Sequence, residues 1–330
     1  MSDSLLCANA ALRDHWYVVA ERDDLGTAPL AVTLLGLDYV VWRTTDGSVA
    51  AAPDRCPHRE APLSLGYVAD GCLVCPYHGW TFGDGGRCVA VPSAPAGVPV
   101  PPTAHLPVIA ATERYGLVWV CPGTPSRPIP TIAHEDDAAY RRINSGVERW
   151  ATSALRMTDN FLDIAHFPYV HTGTISIAAN SQVPRFEIGP LDDGFTGYAY
   201  EVDVANELGS SSSGLEGGVV TRRMTTGFHL PFTVRSTIHY ESGLDHVILL
   251  CTTPIDDVRS YFTFVVWRND DHAVPAEDVI AFDRAIGAED KRMLERVPGV
   301  LPLDQAATVS VQADRAGVEW RRQLAALLAG

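Results

Sequence analysis

The sequence predicts an α+β protein in two parts: a small all-β domain, then a larger domain whose strands precede its helices around an antiparallel sheet. Three observations carry that expectation. From about Trp16 to Val120, short runs rich in β-branched and aromatic residues ("WYVVA", "LAVTLLGLDYVVWRT", "LVWVCPG") alternate with Gly, Pro and Asp turn signals. Later in the chain, longer strand-like runs give way to two helical patterns. Between the two parts, "CPGTPSRPIPTIAHEDDAAYRRINSG" (121–146) sets prolines and then charges between apolar regions, so the first domain is expected to cover 1–146 and the second 147–330.

Within the first part, "VPSAPAGVPVPPTAHLPV" (91–108) is too proline-rich for a helix or a central strand, and reads as an ordered extended loop wrapping the domain. The second part opens with a helix around "SALRMTDNFLDIAHF". Strand-like runs follow at about 183–205, 219–240, 245–253 and 259–268, and helices at 276–297 and 304–329. The stretch "LGSSSSGLEGG" (208–218) reads as a flexible loop or hairpin tip.

Charge excludes one class of partner. With 25 Lys and Arg against 40 Asp and Glu, a formal charge of −15, the chain has little with which to bind a phosphate backbone. No run of about eighteen apolar residues is present, and the start has no basic segment followed by an apolar one. No membrane association is therefore expected. The seven cysteines are scattered through the chain, which suits a reducing compartment, and a cytoplasmic location is expected.

The most specific local signal is "DRCPHREAPLSLGYVADGCLVCPYHGW" (54–80), with one Cys-x-His and one Cys-x-x-His pair. Structural zinc sites space like ligands by two to five residues, whereas each pair here mixes the two types. Mixed pairs suit a cluster in which one iron takes two thiolates, Cys56 and Cys75, and the other takes two imidazoles, His58 and His78. The sixteen residues between His58 and Cys75 allow a short β excursion that returns the second loop beside the first. Pro57 and Pro76 stiffen the loop tips, and Gly79 leaves room for close backbone approach. Cys72 lies inside the motif but outside both pairs and reads as a small buried apolar residue. On these residues the segment resembles the Rieske [2Fe-2S] family. Neutral imidazoles in place of two thiolates put the potential of such clusters between roughly −150 and +300 mV, and they pass one electron at a time.

A second constellation lies in "MTDNFLDIAHFPYVHTG": Asn160, Asp163, His166 and His171. On an ideal helix Asp163 and His166 share a face, but His166 and His171 differ by about 140°. Pro168 predicts a kink or change of course between the histidines, which would let His171 turn back toward the same metal. Two histidines need a carboxylate to complete a facial triad for non-heme Fe(II) with open positions for small ligands. The helical pattern "PAEDVIAFDRAIGAEDKRMLERV" carries an apolar stripe through Val279, Phe282, Ile286, Met293 and Val297. Asp290 falls within that stripe, Asp283 lies near it and Glu289 sits about 75° off its centre, so periodicity alone leaves the carboxylate open.

From "HWYVVA" to "ADRAGVEWRRQLAALL" the chain resembles the oxygenase α subunits of Rieske-type aromatic oxygenases, especially the vanillate O-demethylase and dicamba monooxygenase group. The family's Asn-x-x-Asp-x-x-His-x-x-x-x-His motif matches Asn160, Asp163, His166 and His171, and its late Glu-Asp pair matches Glu289 and Asp290. The resemblance implies that His166, His171 and Asp290 are the iron ligands, that Asn160 lies near the iron, and that Asp163 is an electron bridge between subunits. It implies a Rieske domain followed by a helix-grip, START-like catalytic domain. It also implies a head-to-tail homotrimer in which His78 of one subunit passes electrons through Asp163 to His166 of the next.

The expected function is the terminal oxygenase component of a multicomponent system that hydroxylates or oxidatively demethylates a small aromatic or cyclic substrate with dioxygen. No glycine-rich dinucleotide fingerprint follows a strand and no flavin motif is present, so electrons from NAD(P)H are expected to come through a separate reductase, with or without a ferredoxin. Ring cis-dihydroxylation is the alternative reaction, and a Rieske electron-transfer protein without oxygenase activity is the alternative from another class. The sheet offers His229, Phe232, His239, His246 and Trp267 as pocket candidates.

Overall fold

Short β-branched and aromatic runs broken by Gly, Pro and Asp build the first unit of the chain, as their alternation dictates. The computed structural model describes residues 6–172, 174, 181–206, 213–216, 218–270 and 272–330. Packing divides the chain into a first unit, 1–128 with 253–257, and a second, 129–252 with 258–330. The division falls before 146 because β11 (Arg141–Asn144) pairs with β18 (Ser260–Arg268) in the second unit's sheet. Most of the Gly- and Ser-rich stretch 208–218 lies outside the described residues. Among the described residues, no helix is long and apolar enough to cross a membrane.

Among its described residues the first unit holds three antiparallel sheets. One orders β1 (Tyr17–Glu21), β10 (Leu117–Cys121) and β9 (Ala110–Arg114), and a second runs β2 (Leu30–Leu34), β3 (Leu37–Arg43) and β4 (Val49–Pro53). A third runs β5 (Tyr67–Ala69), β6 (Cys72–Val74), β7 (Thr81–Phe82) and β8 (Cys88–Ala90). The two Cys/His loops leave the ends of β4 and β6. Their cysteines are buried with Val40, Trp42, Leu73 and Phe82. Cys72 is half-buried at the start of β6. The proline-rich segment 91–108 closes this core: Leu106 is fully buried within it, its N–H donates to the Gly86 carbonyl, and the Cys88 N–H donates to the Ala104 carbonyl.

Among its described residues the second unit holds an eight-stranded sheet in the order β11, β18, β17 (Asp245–Pro254), β16 (Thr233–Tyr240), β15 (Val219–His229), β14 (Thr196–Ala205) and β13 (Gly189–Pro190), with β12 (Glu148–Trp150) also on β18. The run expected at 219–240 is therefore a hairpin, β15 to β16, turning at Leu230, Pro231 and Phe232, because Pro231 cannot donate to a ladder. The run at 183–205 becomes regular pairing chiefly from Thr196.

Helix α1 (Ala154–Leu162) starts at Ser153, whose hydroxyl accepts the Arg156 N–H. It ends at Leu162, six residues before Pro168. The Asp163 carboxylate accepts the N–H groups of Ala165 and His166 at 2.9 and 3.1 Å, a local turn that competes with the helix. Pro168 then sits in the first turn of the short α2 (Phe167–Val170), where a missing donor costs nothing. The expected kink at Pro168 is thus a break at Asp163.

The long helix α3 (Ala276–Leu294) buries Ile280, Asp290 and Leu294. The expected stripe is rotated at its C-terminal end, where Met293 is exposed and Leu294 takes the buried position against Trp150, Phe262 and Phe264. Helix α4 spans Arg315–Ala329 rather than 304–329, because Asp304 and Asp314 each accept backbone N–H groups in two 3₁₀ turns and the β-branched Thr308, Val309 and Val311 lie between them. Trp320 of α4 is fully buried and its indole donates to the Pro231 carbonyl at 2.8 Å, pinning the β15–β16 turn. Replacing Trp320 with Ala removes both and is expected to cost about 3–5 kcal/mol; urea unfolding monitored by circular dichroism reads the loss, and an unchanged midpoint would contradict this packing.

Candidate metal centres and substrate cavity

The two Cys/His loops are built alike. The Glu60 N–H donates to the Cys56 carbonyl and the Cys56 N–H to the Ala61 carbonyl, while the Gly79 N–H donates to the Cys75 carbonyl and the Cys75 N–H to the Trp80 carbonyl. Gly79 adopts φ +70°, and a Cβ there would meet Pro92 Cγ at 3.0 Å, so glycine serves both the turn and the close approach. The His58 and His78 rings lie 4.6 Å apart, and His58 stacks on Trp80 at 4.4 Å. Cys56, His58, Cys75 and His78 therefore sit on two facing loops, with both cysteines buried and His78 exposed.

The donor set fits a two-iron cluster. His58 Nδ1 is buried with no hydrogen-bond partner. Burial pushes the Cys56 thiol up to about 11, against the pull of the His58 and Arg59 backbone N–H groups and with a further push from Cys75. A sulfur held so high ionises readily only beside a metal.

The second centre joins α2 to α3. His166 Nδ1 lies 2.7 Å from Asp163 Oδ2, and His171 Nδ1 lies 3.0 Å from Glu289 Oε2, which also accepts the Thr174 hydroxyl. A carboxylate on each Nδ1 places the N–H there, leaving the Nε2 lone pairs to face each other at 3.1 Å. Asp290 Oδ1 lies 3.5 and 3.4 Å from those nitrogens and has no hydrogen-bond partner of its own. Two lone pairs and a carboxylate oxygen converging in a buried space require a cation. These three ligand atoms all lie within 4.8 Å of one another, as a facial triad requires. Asp283, the other carboxylate the stripe allowed, points instead at His246.

Its place in the Glu-Asp pair by itself assigns Glu289 no role. One helical position from Asp290, it orients His171, as carboxylates behind a metal-bound histidine commonly do. Asn160 lines the same cavity, and its Nδ2 is buried without a partner.

A cavity of about 300 Å³ opens from this centre between α3 and the sheet. The period of two decides which strand residues face it: Arg222, Met224 and Thr226 on β15, Ser236, Ile238 and Tyr240 on β16, and His246, Ile248 and Leu250 on β17. His246 is thus the one pocket candidate from the sequence that lines the cavity. His229, His239 and Trp267 have the opposite parity, and Phe232 lies in the turn against Trp320. His239 pairs with Asp245 at 2.6 Å, His229 packs edge-on to Phe195, and Trp267 is buried on the other face. The sequence passed over Arg222, Tyr240 and Arg268, because polar residues on strands read as solvent-facing until the parity is known.

Burial opposes a charge on His166, but the hydrogen bond with Asp163 and the attraction of the Asp163 and Asp290 carboxylates outweigh it and raise its imidazole to about 9. Metal requires the neutral ring, so protons compete with metal below that pH. Fe(II) affinity at this site is expected to rise about tenfold per pH unit from about pH 6 to 8; anaerobic competition titration of the iron-free site tests this, and a flat profile would contradict it.

Comparison with known proteins places both halves of the chain in described families. Residues 15–108 match the Rieske [2Fe-2S] domain and residues 150–330 the vanillate O-demethylase oxygenase C-terminal domain. The chain is 31% identical over 325 residues to methylxanthine N1-demethylase NdmA of Pseudomonas putida, covering 95% of this chain and 88% of that protein. The solved structure of NdmA with caffeine superposes with TM-score 0.84 at 28% identity, covering 98% of this chain and 93% of the other. Dicamba monooxygenase bound to dicamba superposes with TM-score 0.80 at 25% identity, covering 96% and 98%.

Proposed function

The chain belongs to the Rieske oxygenases of the vanillate O-demethylase type, and we propose that it removes a methyl group from an oxygen or nitrogen atom of a small ring compound, with His166, His171 and Asp290 holding its mononuclear iron. It is a terminal oxygenase component, supplied with electrons by a partner reductase or ferredoxin. The observation that carries the assignment of ligands is the convergence of the two Nε2 lone pairs and the Asp290 oxygen on the wall of the cavity. Cys56, His58, Cys75 and His78 would hold the [2Fe-2S] cluster. The triad distinguishes this reading from a Rieske electron carrier, which needs no second centre beside a cavity.

When bound, the cluster passes single electrons and the mononuclear iron activates dioxygen toward an inert C–H bond. The protein's own residues do the rest. Asp163 and Glu289 hold the imidazoles in the tautomer that presents Nε2 inward. Phe161, Ile164, Phe167, Phe282 and Ile286 give the cavity apolar walls that exclude water around a ring substrate. A methyl hydroxylated next to oxygen or nitrogen collapses to formaldehyde and the demethylated ring. Demethylation is favoured over ring dihydroxylation by relatives such as methylxanthine N1-demethylase.

Electrons would reach the iron in a head-to-tail homotrimer, from the exposed His78 of one subunit through Asp163 of the next. The Asp163 side chain supports this part of the reading by remaining 28% accessible beside His166, with the neighbouring Tyr169 ring exposed. Seven cysteines, none in a disulfide and two of them offered to the cluster, suit a cytoplasmic setting, in which the enzyme would act in breakdown of aromatic compounds.

Two outcomes test the reading. With NADH and a surrogate reductase, methoxylated or N-methylated ring compounds are expected to yield formaldehyde in step with product; dihydrodiols in its place would overturn the choice of reaction. Asp163→Asn is expected to keep both metal centres, read by iron content and the cluster's spectrum, while slowing product formation by about tenfold to a hundredfold; full turnover by that iron-replete variant removes the bridge.

A further inference from the structure

We propose that Met224 is the oxidation-sensitive site of the cavity wall, and that the Tyr200 hydroxyl shields its sulfur from peroxide. The oxygenase reading enters only as the source of the oxidant.

Met224 on β15 and Tyr200 on β14 are direct cross-strand neighbours, so their side chains leave the same face of the sheet. Met224 lines the cavity, and both residues are buried. The Tyr200 hydroxyl donates to Met224 Sδ at 3.1 Å, and among the described residues it has no other acceptor. A thioether is a weak acceptor. The neighbouring tyrosine shows the stronger alternative, since the Tyr198 hydroxyl donates to the Leu162 carbonyl at 2.8 Å. Phenylalanine at position 200 would fill nearly the same volume and bury no polar group, so packing does not call for the hydroxyl. Burial holds the Tyr200 phenol above its ordinary value, and the oxygen therefore keeps its hydrogen and stays a donor. That hydrogen bond engages a sulfur lone pair, the electrons with which a thioether attacks peroxide.

The oxidant comes from the oxygenase itself. When no ring compound fills the cavity, dioxygen that takes two electrons from the reductase and two protons leaves as hydrogen peroxide. Its reaction with Met224 balances: the sulfur lone pair forms an S–O bond as the O–O bond breaks, the sulfur is oxidised by two electrons to the sulfoxide, and the peroxide is reduced to water. The product is polar where the side chain was apolar. On a wall shared with Ile238, Ile248 and Leu250 it would spoil the packing between sheet and α3.

Two other methionines serve as references. Met293 is 51% exposed, and Met157 is fully buried in α1.

The test adds hydrogen peroxide to the iron-replete protein, with no reductase and no turnover, and reads the sulfoxide at each methionine by peptide mass spectrometry. Tyr200→Phe is expected to speed oxidation of Met224 relative to Met293 by about fivefold, with Met157 unchanged. An unchanged ratio overturns the shield. So does a rise shared by Met157, the mark of a loosened fold. Thermal unfolding reads the sensitive site: once Met224 is oxidised, wild type is expected to lose about 2–4 °C of its midpoint, whereas Met224→Leu, which conserves volume, loses none at the same dose. Equal losses overturn the proposal, and this comparison decides should Tyr200→Phe not fold. Since peroxide is supplied directly, neither result depends on whether the protein demethylates.

Discussion

A carboxylate oxygen of Asp290, buried and without a hydrogen-bond donor, faces two imidazole nitrogens whose own protons are engaged elsewhere. That arrangement is stable only with a cation in it, and the rest of the second unit is organised around providing the place. The break of α1 at Asp163 frees the chain to bring His166 and His171 together. The long helix α3 carries the acid to them. Glu289 and Asp290, adjacent in sequence, divide the work: one turns inward toward the metal site and the other holds the His171 ring from behind.

The sheet supplies the second half of the site through its pleat. Only alternate residues of β15, β16 and β17 face α3, and the cross-strand rows Arg222 with Tyr240, and Met224 with Ile238 and His246, set polar groups beside apolar ones along the cavity wall. The same helix borders both ends, through Asp283 and Asp290. The geometry of the ligand is therefore fixed by one helix and one sheet rather than by loops, and rigid elements hold such spacings well.

Much of this was legible in the sequence where ligands are close along the chain. Cys56, His58, Cys75 and His78 announced themselves by mixed spacing, and His166 and His171 by a short motif. The carboxylate was not legible from periodicity, and the structure shows why: Asp283 and Asp290 stand on one face of the same helix, both out of water, serving opposite ends of one cavity. His229, His239 and Trp267 looked like pocket residues by type, yet their parity turns them away, and parity is set by registers such as Thr226 with Ser236 that no single strand reveals. Asp163 falls in the helix-like run "SALRMTDNFLDIAHF", but its own side chain bonds the next backbone groups and ends that helix.

The account stands most directly on where the third iron resides. Iron and acid-labile sulfide content of the purified protein, measured beside the same for Asp290→Ala, tests it with no dependence on substrate. The expected result is one iron beyond the two of the cluster in the native chain, with that iron alone lost in the variant and the cluster's electron paramagnetic resonance signal unaltered. Retention of the extra iron by Asp290→Ala, or its absence from the native chain with the cluster intact, would contradict it.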